Sequence, residues 1–281
     1  MGKRITTSRR WSRYGVVGIA MGAVAVLAAP TASASTLDNI PGAEYCDVTL
    51  TGSCVNVNVL SGMFSNNGFQ LPLSEGDMIL SLGLSDEGFY VSDAKNGFGV
   101  HAKPVTVPGG VLGVDLPFNN LFGLAAVTAE VEGVGVPVMH DQIFDFNIDL
   151  PVRMKINNPF LGDKCYIGSA VDPVTFELRG VNPGTDNPPM YEVLGEPDYP
   201  AETLKISNVQ AAATDFALPQ AAGCGPFGVL NPIVNWRAKL PNTENTSLVT
   251  EAEAYLFNPG DLVATPSPET PGAGSSGSSN N

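Results

Sequence analysis

Residues 142–169 read QIFDFNIDLPVRMKINNPFLGDKCYIGS, and their pattern decides the fold class. From Phe144 every second residue is apolar: Phe144, Phe146, Ile148, Leu150, Val152, Met154 and Ile156. Asp145, Asn147, Asp149, Pro151, Arg153, Lys155 and Asn157 fill the places between them. A period of two sends alternate side chains to opposite faces of a strand. The spacing therefore predicts a long half-buried β-strand, with Phe144, Phe146, Ile148, Leu150 and Val152 buried. Asp145, Asn147 and Asp149 are expected to face solvent or polar neighbours. Pro151 lacks a ladder donor and is expected at an edge or a local bend.

Working outward, upstream strand candidates lie at 45–50, 54–60 and 78–84, with a Gly- and Asn-rich turn expected at 61–68. Shorter candidates follow at 89–92, 99–102 and 105–107. Over 124–131, Ala125, Val127, Ala129 and Val131 fall on one face, with Thr128 and Glu130 on the other, which again is strand alternation. Downstream candidates are 174–179, 203–207, 210–218 and 247–257. Between the first two, residues 181–200 contain five prolines, too many for regular structure, and the expectation is a loop, an ordered surface excursion in which Met190, Tyr191, Val193 and Leu194 offer something to bury. Residues 223–240 form the only helical region expected. Pro232 breaks a single helix there, whereas Asn231 as cap and Pro232 at the first position can start a short one. No repeat of fixed period occurs. Many strands, turn residues and little helix predict an all-β fold, an antiparallel β-sandwich or flattened barrel with one or two short helices and two disulfides. A single domain is expected over 35–263, followed by a flexible Pro/Gly/Ser-rich tail at 264–281.

The first 34 residues read as a signal peptide. Lys3, Arg4, Arg9, Arg10 and Arg13 precede an apolar run, and Ala32-Ser33-Ala34 is a small-x-small cleavage site. The run is shorter than the roughly 20 residues of a membrane span. Ser12 stands where a twin-arginine signal usually carries a large apolar residue, so general secretion is the preferred route. With no cysteine close behind the run and no sorting signal near the C-terminus, the expected product is secreted, extracellular or associated with the cell envelope, and has no integral membrane span. The chain has 14 basic and 28 acidic residues, a formal charge of −14. Five of the basic residues and none of the acidic ones lie in the leader, so its removal leaves −19. Such a surface repels phosphate backbones and anionic headgroups, which argues against nucleic-acid partners and electrostatic membrane docking.

Four cysteines in an exported chain suggest two disulfides. Three pairings are possible, and Cys46–Cys54 with Cys165–Cys224 is favoured. Cys46 and Cys54 flank a strand-and-turn stretch that can bring its ends together, and Cys224 sits between Gly223 and Gly225, where the backbone can approach another element closely. Zinc is disfavoured, because no CxxC pair occurs and only His101 and His140 could supplement the cysteines.

Residues 152–162 (VRMKINNPFLG) with 165–169 (CYIGS) resemble a motif of uncharacterised secreted proteins of actinobacteria. Residues 223–230 (GCGPFGVL) and 240–242 (LPN), leading into Asn245 and Thr246, are similar to further blocks of that group. The resemblance spans about the second half of the chain. It implies export and a Cys165–Cys224 pair, and it implies no activity.

Chemistry-bearing constellations are sparse. No G-x-S-x-G elbow, phosphate-cradling loop or dinucleotide fingerprint occurs. His140 and Asp141 are neighbours and point to opposite faces if in a strand, so they form no ready dyad. Asp141, Asp145 and Asp149 share a face, yet i and i+4 of a strand lie about 13 Å apart, too far to share one calcium ion. No catalytic, cofactor-binding or metal-binding residue is assigned, and no cofactor is expected. The leading expectation is a non-catalytic protein acting by binding or structure on an unknown envelope or extracellular partner. One alternative is a carrier of an apolar ligand, with Phe144, Phe146 and Met154 lining its cavity. The other is an envelope-acting hydrolase using carboxylates drawn from Asp141, Asp145 and Glu177.

Overall fold

The structure, a computed structural model, describes residues 36–47, 52–85, 90–110, 126–141 and 143–259. The expected leader and the expected C-terminal tail lie outside the described residues. The described chain is built of antiparallel strands, with short 3-10 turns and one α-helix, α1 (Asn231–Ala238). In chain order the strands are β1 (Ser53–Asn66), β2 (Phe69–Ser74), β3 (Met78–Leu84), β4 (Tyr90–Val91), β5 (Val100–Ala102), β6 (Val105–Thr106), β7 (Thr128–Gly133) and β8 (Val138–His140). They continue with β9 (Asn147–Asn157), β10 (Tyr166–Ile167), β11 (Val174–Gly180), β12 (Met190–Leu194), β13 (Thr203–Thr214), β14 (Ala221–Ala222) and β15 (Thr246–Phe257).

One curled sheet runs in the order β14-β10-β9-β11-β13-β15-β1-β3-β4. Strand β11 is the corner. Its first part pairs with β9, Val174 opposite Val152, and its end pairs with β13, Arg179 opposite Ala212. The two halves of the sheet enclose one main apolar core. Ile148, Leu150, Val152, Met154, Val174, Phe176 and Leu178 come from one half, and Phe64, Leu80, Leu82, Ala211, Ala213 and Leu248 from the other. Leu150, Val152 and Val174 have no exposed surface. Fully burying each such side chain contributes roughly 1.5–3 kcal/mol of transfer free energy. The all-β antiparallel expectation therefore stands, with two disulfides, Cys46–Cys54 and Cys165–Cys224. No described helix is long and apolar enough to cross a membrane.

Alternation along β9 is strict from Ile148 to Met154, and fails before it. Phe144 lies in a 3-10 turn (Ile143–Asp145) and is exposed. Phe146 has φ 55° and packs instead against a separate cluster of Ile206, Val209, Ala252 and Ala254. A residue in the left-handed region cannot continue the pleat, so the strand starts three residues later than its pattern suggests. Pro151 lies inside the sheet at an interruption of the neighbouring strand. β7 pairs with β9 as far as Gly133–Val152 and β8 resumes at Val138–Asp149, so the missing N–H meets the break between them. The Pro151 carbonyl, on that same side, accepts from Val134 N–H at 3.1 Å.

Four further expectations are corrected. Strand β1 runs through the stretch expected to turn and forms a hairpin with β2 at Asn67-Gly68, both at positive φ. The candidate at 45–50 begins as a 3-10 turn (Ala43–Tyr45), while 48–50 lie outside the described residues. The two candidates at 203–207 and 210–218 are one strand, β13, with a register shift between Ile206 and Val209. Residues 181–200 are not all irregular: a proline-free part, 190–194, pairs with β13 as the edge strand β12, on which Met190, Tyr191 and Val193 are exposed and only Leu194 is half-buried.

Candidate functional site

The helix α1 and the open end of the sheet enclose an apolar cavity of about 240 Å³. Its floor is β-sheet: Phe64 of β1, Phe69 and Leu71 of β2, Ala129 of β7, Met154 and Ile156 of β9, and Ile167 of β10. Its roof is one stripe of α1, Ile233, Val234, Arg237 and Ala238. That spacing of three and four residues places all four on one side of a helix. Trp236 falls outside the stripe and is 78% exposed. Phe160 and Ile233 line the cavity and are 60% and 50% exposed, so they form its mouth.

Local sequence explains how the helix is held over the sheet. Its end is capped by Lys239 in the left-handed region, and the Asn66 side chain donates to the Ala238 carbonyl at 2.7 Å. Its start is fixed by Asn231, whose side-chain oxygen accepts from Cys224 N–H at 2.9 Å. Asn231 is thus the first helical residue and Pro232 the second, one place on from the expected cap.

Turn 158–161 forms the opposite wall. Asn158 accepts from Phe160 N–H through its side chain and from Leu161 N–H through its backbone, which leaves Phe160 at the mouth and Leu161 buried inside the cavity. The Cys165–Cys224 bridge and a Gly225 N–H to Leu161 carbonyl hydrogen bond join this turn to the segment that enters α1. Gly223 and Gly225 have positive φ; a Cβ at the first would collide with Lys164 backbone, and at the second with the Leu230 side chain. The close approach expected at Cys224 therefore requires both glycines. Leu161, Ile167, Leu230 and Leu240 bring residues 158–169, 223–230 and 240–242 to the same cavity.

Of the residues expected to line a cavity, Met154 does so, whereas Phe144 and Phe146 border a separate crevice of about 20 Å³. The helical stripe with Arg237 is a feature of the cavity that the sequence reading missed. Its signal was the apolar spacing of Ile233, Val234 and Ala238 beside a helix-starting Asn-Pro.

The titratable residues gather elsewhere, on the outer face of β8, β9 and β11. His140 Nε2 lies 2.7 Å from Asp149 Oδ2, and Arg179 donates to Asp149 Oδ1 at 2.8 Å. His140 thus pairs across strands with Asp149, while Asp141 accepts from the Asn147 side chain at 3.0 Å. Glu177 stands opposite Asp149 in the ladder, but Arg179 reaches both carboxylates, at 3.5 and 2.8 Å. Burial raises the Asp149 carboxyl, and the hydrogen bonds and charges of His140 and Arg179 more than offset this, holding it below its ordinary value. A carboxylate kept ionised by two partners is a poor general acid. Asp145 lies in the 3-10 turn before β9, apart from this network's ladder positions.

His101 stacks on Tyr45 with ring centroids 3.7 Å apart, beside a more polar groove of about 420 Å³. Burial lowers its pKa, against the attraction of Glu44. In that groove Arg153 and Glu132 are paired at 2.6 Å. Among the described residues no three of His, Cys, Asp and Glu gather closely enough to hold a metal ion. Compared with known protein families, curated proteins and solved structures, the chain has no match.

Proposed function

We propose that this chain is an exported, non-catalytic binding protein that carries a small apolar molecule or an alkyl chain between α1 and the sheet. The observation that carries the reading is the cavity of about 240 Å³, walled by apolar side chains and opening between Phe160 and Ile233. A well-packed interior contains few voids larger than a water molecule, and an engineered apolar cavity of roughly 150 Å³ stays dry and takes up benzene. Empty space of this size leaves its lining without contacts on one side, and an apolar guest restores them. The two disulfides suit an oxidising compartment, and the basic-then-apolar leader ending in Ala32-Ser33-Ala34 suits export. The motif blocks expected to resemble those of secreted actinobacterial proteins each place at least one side chain on the cavity wall, Leu161 and Ile167, Leu230, and Leu240, which supports a role for this site.

The test is binding of a polarity-sensitive apolar fluorophore such as 1-aminoanthracene, with Ala129→Phe as the control that fills the cavity. The expected outcome is saturable one-to-one binding to the wild type, displaced by medium-chain alkyl compounds and lost in a folded Ala129→Phe protein. Binding unchanged in that variant would place the guest elsewhere and overturn the reading.

A further inference from the structure

Within this binding reading, we infer that the guest is an amphiphile whose carboxylate is received by Arg237. Three polar side chains stand on the cavity wall: Asn66, Asn158 and Arg237. The first two are committed to the fold. Asn66 donates to the Ala238 carbonyl and accepts from the Asn242 side chain, both at 2.7 Å. Asn158 donates to the Ala126 carbonyl at 2.7 Å and accepts from Phe160 N–H at 2.9 Å.

Arg237 is different. Its Nη2 donates to the Pro108 carbonyl at 3.2 Å, and its guanidinium lies 5.7 Å from the centre of the Phe69 ring. Its Nε is buried with no hydrogen-bond partner. Among the described residues four buried side-chain atoms lack a partner, on Asn58, Ser92, His101 and Arg237, and only Arg237 lines this cavity. No carboxylate of the described residues forms an ion pair with it. In a chain with twice as many acidic as basic residues, an arginine left without an acid on an apolar wall is a preference for something the chain does not itself supply.

The Nε–H of this partly exposed arginine is a buried donor without an acceptor, which is costly, and the cost is removed when an anion arrives to accept from it. Nε–H and a neighbouring Nη–H form a planar fork that matches the two oxygens of a carboxylate. A phosphate dianion would bring two charges to a single cation in a net-acidic chain, so the monoanionic carboxylate fits better. Ile233 and Arg237 are one helical turn apart, which sets the charged head one turn along the roof from the mouth. The alkyl chain then lies along Phe69, Leu71, Met154 and Leu161.

Calorimetric titration at pH 7.5 of octanoate and of 1-octanol, into wild type and Arg237→Met, tests this assignment. Charge-assisted hydrogen bonds predict octanoate to bind the wild type roughly tenfold or more tightly than octanol. Arg237→Met should bring the two ligands within about twofold while octanol still binds. Equal affinities in the wild type, or a preference for octanol, overturn the headgroup assignment and leave the cavity reading standing. A preference that survives in Arg237→Met overturns the role of Arg237. Binding of neither ligand removes the cavity reading and this inference with it. The wild-type ratio decides the carboxylate question even if the variant is unfolded, and Arg237→Lys, which keeps the charge without the fork, should retain only part of the preference.

Discussion

Asp149 holds together the outer face of the sheet and has the bonding of a structural residue rather than a reacting one. His140 and Arg179 approach its two oxygens from either side, and its side chain is 25% exposed. Because its folded pKa is depressed, the ionised form contributes stability above the unfolded aspartate value, near 3.9. That contribution is lost as pH falls through the lower folded value. Asp149→Asn should therefore destabilise the protein by about 1 kcal/mol at pH 7, a modest figure because the network is partly solvated. Urea unfolding across pH should show this gap at neutral pH and closing as pH falls below the unfolded aspartate value near 3.9. A gap that persists unchanged to pH 2 would mean that shape, and not charge, is what Asp149 contributes.

At the scale of the element, β9 separates what periodicity can tell from what it cannot. Leu150 is fully buried and Phe144, six residues earlier in the same apparent pattern, is exposed. Leu150→Ala should cost about 2–5 kcal/mol, and Phe144→Ala under about 1 kcal/mol, as measured by denaturant midpoints at unchanged slope. Comparable losses would return Phe144 to the strand. Alternation from Ile148 onward was legible because a half-buried strand must repeat every two residues. Its start was not, because the positive φ of Asp141 and Phe146 is imposed by the chain reversal after β8 and leaves no mark in hydrophobicity. Strand β12 was misjudged for a related reason. An edge strand can be held by backbone hydrogen bonds to β13, so Met190, Tyr191 and Val193 stay outside despite being apolar. The disulfides were legible because Gly223-Cys224-Gly225 announces a close approach. The cavity was only half legible. Met154 is legible as a lining residue, but Arg237 enters through a helix that packs over strands from β1 to β10, none of them its near neighbour in the sequence.

For the whole molecule, the Cys165–Cys224 bridge links the sheet to the segment that carries the cavity's roof. It spans 59 residues against 8 for Cys46–Cys54, and in the chain-entropy account the two closures are worth about 4 and about 2.5 kcal/mol. Replacing Cys165 and Cys224 together by serine should lower the Tm by roughly 3–6 °C more than replacing Cys46 and Cys54 together. The same variant should also weaken fluorophore binding, because the bridge ties the Asn158–Leu161 turn to the start of α1; equal Tm losses with intact binding would deny it that role. The account as a whole rests on the space between α1 and the sheet being real, apolar and accessible. The most direct measurement is a crystal structure under xenon pressure, since xenon enters dry apolar cavities without needing any polar partner. The predicted result is a strong anomalous peak between Met154, Leu161 and Val234, absent from crystals of Ala129→Phe. A wild-type map with no xenon there, and side chains or ordered water filling the space, would contradict it.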